Sequence, residues 1–177
     1  MRKIVLTYGL IAGAILSAMM LLTLPFMEQI GFGRGEVIGY TTMVLAFLMI
    51  YFGVRSYRDQ IAGGNVTFGR AFKVGGMILL VATVCYVATW QVVYYKFAPD
   101  FGAKYTAYTL DQAKAGGATA ADVEAKRAEL DKFSALYRNP FVNIAFTFLE
   151  PLPVGLLHIL ISAGLLSRKR RPDDATA

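Results

Sequence analysis

Four long apolar stretches divide the chain, and polar residues are concentrated between them. The stretches cover approximately residues 4–30, 37–54, 74–98 and 141–166. A helix needs about 20 apolar residues to cross the roughly 30 Å hydrocarbon core of a bilayer. Each stretch meets or nearly meets that length. The pattern therefore predicts an all-α integral membrane protein, with four transmembrane helices in a single domain over residues 1–177.

The polar segment between the third and fourth stretches carries helical signals of its own. Residues 103–115 have the composition of one helix, which a Gly-Gly pair then interrupts. Thr119 stands three residues before Asp122, a spacing related to the capping box that begins many helices. Residues 103–138 are therefore predicted to form a helical hairpin outside the membrane.

The placement of basic residues predicts how the helices cross. Cytoplasmic segments of membrane proteins carry an excess of lysine and arginine. With four crossings, both termini and the link between spans two and three share one side, whereas the long loop carries balanced charges. Both termini are therefore predicted to be cytoplasmic and the hairpin extracytoplasmic. The basic residues on the terminal side are Arg2, Lys3, Arg55, Arg58, Arg70, Lys73, Arg168, Lys169, Arg170 and Arg171.

Composition narrows the classes of function. The chain is 56% hydrophobic and carries a net charge of +6, with a mean hydropathy of +0.49. Because the basic residues flank the spans, the lipid bilayer is the expected partner and nucleic acid is not. The single cysteine, Cys85, and the single histidine leave no metal-binding spacing. No phosphate loop or Ser-His-Asp arrangement is present, so we expect no metal, cofactor or catalytic residue.

Small residues form a stripe along the first span. Gly9, Gly13 and Ser17 are spaced by four, which lets another helix approach closely. Two interpretations follow from this spacing. The stripe packs against another helix of the same bundle, or it forms the seam of a homodimer.

The link between the second and third spans predicts a segment at the membrane surface. Its glycine pair permits a turn, and the two phenylalanines and the basic residues that follow recur at helical spacing. We expect an amphipathic entry to the third span on the inner surface, with its basic face toward anionic lipid. The alternative is a segment that docks a partner or gates the bundle. The residues concerned are Gly63, Gly64, Phe68, Arg70, Phe72 and Lys73.

The fourth span contains the main candidate site. Glu150 lies about ten residues from the outer end, hence roughly 14 Å deep in the membrane. Pro151 and Pro153 free backbone carbonyls and bend the helix, and Gly155 permits close packing beside the bend. A carboxyl group in the membrane needs a partner, a cavity or a proton. Three roles stay open at this point: a buried structural acid, an ion, proton or ligand site, and catalysis.

Other polar residues of the spans complete the candidate site. His158 lies about 80° around an ideal helix from Glu150, so the two are not clearly on one face. Alone, His158 is expected to be structural, bonded to a backbone carbonyl or a hydroxyl. Gln91, Lys96 and Glu28 are the remaining polar candidates within or near the ends of spans. We predict that Lys96 pairs with Glu28 or with Glu150.

These motifs resemble those of the bacterial membrane proteins grouped as domain of unknown function 4199, over nearly the whole chain. One motif is the Gly63-Gly64 pair followed by Thr-Phe-Gly-Arg-Ala-Phe and a further glycine. The other is Glu150 with Pro153-Val154-Gly155, then a Ser-Ala pair and a basic tail. Pro151 and His158 lie outside this pattern. The resemblance implies a four-helix inner-membrane protein and no reaction, and it directs attention to Glu150 ahead of His158.

Three functions are consistent with these residues. The first is a non-enzymatic structural or accessory protein, as a homodimer or with a membrane-protein partner. The second is an oligomeric transporter or channel in which Glu150 titrates. The third is a membrane enzyme acting on lipid, with Glu150 and His158 as acid and base, which requires both side chains to face one cavity.

Overall fold

The computed structural model describes residues 1–167, except for the side chain of Glu28. The described chain is all-helical and contains no strand. The tail of Arg168, Lys169, Arg170 and Arg171 lies outside these residues. The helices are α1 (Arg2–Thr23), α2 (Met27–Ile30), α3 (Phe32–Gln60), α4 (Phe68–Val92), α5 (Phe101–Ala115), α6 (Ala120–Tyr137), α7 (Pro140–Leu149) and α8 (Leu152–Leu166).

Four helical stretches are long and apolar enough to cross a membrane, which confirms the predicted fold class. They are Arg2–Phe26, Phe32–Gln60, Phe68–Phe97 and Pro140–Leu166. The second and third helical stretches extend beyond their apolar parts toward the segment that joins them, because polar residues there continue each helix. The first ends in a 3₁₀ turn, Leu24–Phe26, which contains Pro25. Proline has no N–H, so the α-helical hydrogen bonding changes there.

The first and third spans run parallel to each other. A Cβ atom built on Gly9 would lie 2.6 Å from the Val81 Cβ. Eight residues further along each helix, the hydroxyls of Ser17 and Thr89 are 2.7 Å apart. Because residue numbers increase in the same direction along both helices, the two helix axes are parallel. The predicted small-residue stripe therefore packs inside the bundle, against α4.

The third and fourth spans run antiparallel. Gln91 contacts Asn143 near one end, and Leu79 lies against Gly155 nearer the other. Because the numbering rises on one span while it falls on the other, α8 ends at the end of the bundle where α1 begins. The helices α5 and α6 join these two spans at the opposite end.

The surface of the bundle differs from that of a soluble protein, whereas the interior is mainly apolar in both. Large apolar side chains such as Leu22, Leu45 and Leu157 are more than half exposed, which suits contact with lipid rather than water. The buried core has small polar residues among its apolar side chains. These buried polar residues are Thr42, Thr83, Asn143, Thr147 and Ser162.

The link between α3 and α4 turns through glycines. Gly63 and Gly64 have φ angles of 67° and 86°, which only glycine adopts readily. The Thr67 side chain then accepts a hydrogen bond from the Arg70 backbone N–H and caps α4. Phe68 opens the same helix that crosses the membrane, so the amphipathic entry is the first turns of α4 and not a separate element.

Two further helices, α5 and α6, lie outside the four candidate spans and pack against each other. Leu110 of α5 and Leu130 of α6 are their buried residues. Helix α6 begins with a complete capping box between Thr119 and Asp122. The predicted helices are present, whereas their arrangement as an extracytoplasmic hairpin stays a prediction.

Candidate functional site

Glu150 occupies a break in the fourth span. Helix α7 ends at Leu149 and α8 begins at Leu152. Pro151 and Pro153 cannot donate hydrogen bonds, so the carbonyl oxygens four residues before each of them lose their usual helical partners. Pro151 is fully buried, whereas Glu150 is exposed. The break thus fixes the backbone in the core and leaves the carboxylate accessible.

The hydrogen-bond partner of Glu150 is a tyrosine on the neighbouring span. The Tyr86 hydroxyl of α4 donates to Glu150 Oε2 over 3.0 Å. We predicted that Lys96 pairs with Glu28 or with Glu150, and among the described residues no ion pair joins Lys96 to Glu150. Lys96 lies in a wide π-helical turn, Val93–Phe97, and is exposed. The alternative partner, Glu28, has its side chain outside the described residues.

His158 lies away from this carboxylate. Its Nδ1 is 2.8 Å from the Val154 carbonyl oxygen, one turn earlier in α8. Because a carbonyl only accepts, Nδ1 carries the proton and donates. The ring packs edge-on against Phe47, with centroids 6.1 Å apart. His158 thus has the backbone hydrogen bond expected of a structural histidine.

Gln91 finds its partner in the fourth span. Gln91 Nε2 donates to Asn143 Oδ1 over 2.6 Å. Asn143 is fully buried, and its Nδ2 atom has no hydrogen-bond partner among the described residues. The Thr147 hydroxyl also donates to the Asn143 backbone carbonyl over 2.8 Å. These contacts link α4 to α7 one to two turns from Glu150.

A tyrosine from α6 extends this polar contact toward the outer helices. The Tyr137 hydroxyl lies 3.3 Å from Thr147 Oγ1 and accepts a hydrogen bond from Trp90 Nε1 over 3.0 Å. Burial raises the pKa of the Tyr137 phenol, so the group stays protonated and keeps a hydrogen to donate. Tyr137 therefore joins α4, α6 and α7 at one point.

A cavity of about 470 Å³ lies between the bundle and the outer helices. Its wall includes the second half of α1, the start of α3, the end of α4 and residues of α5 and α6. Four methionines, Met19, Met20, Met27 and Met43, contribute to the wall. Aromatic side chains dominate the rest: Phe32, Tyr40, Tyr86, Trp90, Tyr94, Phe101, Tyr105, Tyr108, Phe133 and Tyr137.

Ring contacts hold the outer helices over this cavity. Phe32 of α3 packs edge-on against Phe101 and Tyr105 of α5, with centroids 5.5 Å and 5.7 Å apart. Trp90 packs edge-on against Phe101 at 5.0 Å. Each such pair contributes about 0.5–1.5 kcal/mol beyond its buried area. Aromatic contacts along the wall of the cavity therefore attach helix α5 to the four-span bundle.

The acidic and basic side chains of the cavity are all of one kind. Among the described lining residues only Glu36 and Glu150 have an acidic or basic side chain. Neither forms an ion pair within the described part of the chain. Tyr40, Tyr137 and Glu150 also line a shallow groove that continues along Phe146, Leu149 and Pro153. Because Leu149 is 58% exposed, Glu150 stands between the cavity and the outer surface of the bundle.

The structure brings together part of the predicted candidate site. Glu150 and Gln91 lie on the same α4–α7 interface, whereas His158 and Lys96 do not contact them. Sequence analysis missed Tyr86 and Glu36. The only pattern near Tyr86 is that it precedes Trp90 by four residues and so shares its helix face, which does not identify a partner for Glu150. Glu36 offered no such signal, since it lies near the start of a span, where acidic residues are common.

The comparisons with known proteins give a family and no activity. A family model described as "Protein of unknown function (DUF4199)" matches residues 7–168. The chain therefore belongs to this family, as the motifs around Gly63 and Glu150 had indicated. No curated protein and no solved structure matches it.

Proposed function

We propose that this DUF4199 protein is a small, non-enzymatic protein of the bacterial inner membrane that binds an amphipathic small molecule between its four spans and outer helices. The observation that carries the proposal is the aromatic-walled cavity of about 470 Å³. Ligand pockets usually measure about 300–1,000 Å³ and combine apolar walls with a few polar groups. An accessory protein with such a site would sense, buffer or present its ligand to a partner.

The lining residues support binding better than catalysis. No histidine, cysteine, lysine or arginine is among the described residues around the cavity. The enzyme hypothesis required Glu150 and His158 in one cavity, but His158 bonds Val154 and packs on Phe47. The described wall consists of aromatic faces, methionines and two acidic side chains, and these groups can bind a molecule. It contains no nucleophile beside a base, which covalent catalysis would require.

A transporter is the second candidate, and one observation favours it. Glu150 borders both the cavity and the lipid-side groove, so a ligand passing between them would meet this carboxylate. Four spans rarely enclose a pathway, so this hypothesis requires an oligomer. Its distinguishing result is ligand movement across a vesicle membrane by the purified protein, which simple binding does not produce.

The proposed orientation places both termini in the cytoplasm and the cavity near the outer face. It rests on the basic residues at the terminal side of the spans. Two single-cysteine variants test it in a Cys85→Ala background: Asp111→Cys on α5 and Asn65→Cys in the α3–α4 link, both at exposed positions. We expect a membrane-impermeant maleimide to label position 111 in intact cells and position 65 only after lysis. The reverse labelling pattern would show that the protein has the opposite orientation in the membrane.

The only tryptophan of the chain provides a direct assay of the cavity. Trp90 lines it, so a brominated ligand in the cavity quenches its fluorescence by contact. We would titrate 4-bromobenzyl alcohol into the protein in phosphatidylcholine nanodiscs. Saturable quenching is expected, above the linear quenching caused by probe dissolved in lipid.

Two matched glycine variants control this assay. Gly39 lines the cavity, and its Cβ position is open, so Gly39→Leu fills space there and should abolish the saturable component. Gly164 in α8 is also open but does not line the cavity, so Gly164→Leu should retain it. Purely linear quenching in the wild-type protein, or equal quenching in both variants, would refute a ligand site.

A further inference from the structure

We propose that the cavity selects organic cations, with a quaternary or bulky alkylammonium group held among its aromatic rings and facing Glu36 and Glu150. The proposal rests on the proposed function, because it names the chemical class that the same cavity accepts. The juxtaposition that carries it is a wall of aromatic rings together with two acidic side chains and no described basic one.

The aromatic wall suits a weakly hydrated cation. The faces of tryptophan, tyrosine and phenylalanine carry negative electrostatic potential and attract cations, and cages of such rings recognise quaternary ammonium groups. Tyr86 and Trp90 come from one face of α4 and Tyr94 from the π-helical turn that follows it, while Tyr105 and Tyr137 come from the outer helices. The rings therefore surround the cavity from several sides, as a cage requires.

The two carboxylates strengthen the preference for cations beyond what the aromatic rings alone would give. Glu36 and Glu150 form no ion pair among the described residues, and both are exposed at the cavity. Tyr86 donates to Glu150 Oε2, which positions the carboxylate and leaves Oε1 available. An anion entering this space would meet two like charges without a compensating described cation.

The wall also determines which cations fit well. A primary ammonium group holds its water strongly, and few hydrogen-bond acceptors are available in an apolar wall to replace that water. A trimethylammonium group spreads its charge over methyl groups and loses less on leaving water. The methionines offer flexible, polarisable contacts to an attached apolar group. The expected ligand thus combines a bulky ammonium head with an aromatic or short alkyl tail.

Entry from the bilayer is consistent with this ligand class. The groove along Phe146, Leu149 and Pro153 shares Glu150 and Tyr40 with the cavity. Amphipathic cations gather at the membrane interface, and this groove opens on the lipid-facing surface. Glu150 would be the first charged group such a molecule meets.

The test compares three brominated probes of similar size by quenching of Trp90 in phosphatidylcholine nanodiscs. The probes are 4-bromobenzyl-trimethylammonium, 4-bromobenzyl alcohol and 4-bromobenzylsulfonate. Zwitterionic lipid avoids a surface potential that would concentrate the cation near the protein. We expect the cation to bind about tenfold more tightly than the alcohol, and the sulfonate to show no saturable quenching.

Charge-neutralising variants identify the groups responsible. Glu150→Gln and Glu36→Gln should each remove most of the preference for the cation while retaining binding of the alcohol. The matched control, Glu124→Gln, changes an exposed carboxylate of α6 outside the cavity and should keep the preference. Preference that persists in both cavity variants, or a cation that binds no tighter than the alcohol, would overturn the proposal.

The outcomes separate this inference from the function on which it rests. Saturable binding of all three probes without a charge preference refutes cation selection and leaves the ligand site standing. Absence of saturable quenching by any probe refutes both. The comparison among probes needs only the wild-type protein, so the proposal stays testable even where a glutamine variant fails to fold.

Discussion

The close approach of the first and third spans at Gly13 provides a quantitative test of the bundle. A Cβ atom at Gly13 would lie 2.6 Å from Cys85 Cβ and 2.9 Å from its sulfur. Nonbonded carbon atoms prefer a separation of about 3.5–4.0 Å, so Gly13→Ala must push α1 and α4 apart by about 1 Å. Rotating the Cys85 side chain cannot relieve a clash with its own Cβ atom, which is fixed to the backbone.

The size of the effect follows from two opposing contributions. Overpacking of a tightly packed interior costs about 1–3 kcal/mol. Replacing glycine by alanine within a helix otherwise stabilises it by about 0.5–1 kcal/mol. Gly76 of α4 has nothing within 4 Å of its Cβ position, so Gly76→Ala receives only the second contribution. We expect Gly76→Ala to be the more stable of the two variants by about 1–3 kcal/mol.

The assay is reversible unfolding in mixed micelles with an increasing fraction of denaturing detergent, followed by Trp90 fluorescence. The double variant Gly13→Ala/Cys85→Gly removes the opposing Cβ atom. It should therefore be more stable than the sum of its two single changes predicts. If Gly13→Ala proves as stable as Gly76→Ala, the close packing of α1 on α4 is refuted. If instead its effect depends on protein concentration, the stripe acts in a homodimer.

Three further predictions concern the polar residues. Gln91→Leu and Asn143→Leu should each destabilise by about 1–3 kcal/mol through the unpaired partner, and their double-mutant cycle should show coupling of about 0.6–1.7 kcal/mol; additive effects would contradict the hydrogen bond. Hydrogen bonds from Thr119 lower the pKa of Asp122, so the capping contribution is present above the ordinary value of 3.8 and is lost as pH falls through the lowered pKa. We expect the first turn of α6 to lose amide-exchange protection on acidification, measured as the exchange rate relative to the intrinsic rate at each pH, and we expect no such pH-dependent loss in Asp122→Asn. His158→Gln should leave Trp90 quenching by the probes unchanged, and its loss would place His158 in the site.

Much of the fold could be predicted because apolar length is a strong constraint in a membrane protein. Each span is a helix whatever its neighbours are, since its backbone must satisfy its own hydrogen bonds in lipid. The break at Pro151 follows from local chemistry in the same way. Residue type and spacing sufficed for these features.

The candidate site was harder to predict because it depends on the register between spans. The pairing of Glu150 with Tyr86 requires α4 and α7 to lie antiparallel at one particular offset, which no local pattern encodes. The lack of a Lys96–Glu150 ion pair among the described residues has a related cause. The π-helical turn at the end of the third span changes the direction of residues beyond it, so helical extrapolation fails there.

The division of the fourth span has a consequence for how the protein is made. Helix α7 has ten residues and α8 has fifteen, so neither alone covers a roughly 30 Å hydrocarbon core at 1.5 Å per residue. The acid between them further disfavours independent insertion by about 2.5–3.5 kcal/mol if charged at the centre. This segment is also synthesised after the other three. By then α4 is already in place with Tyr86, so the first three spans can receive the divided fourth span and pair with its acid.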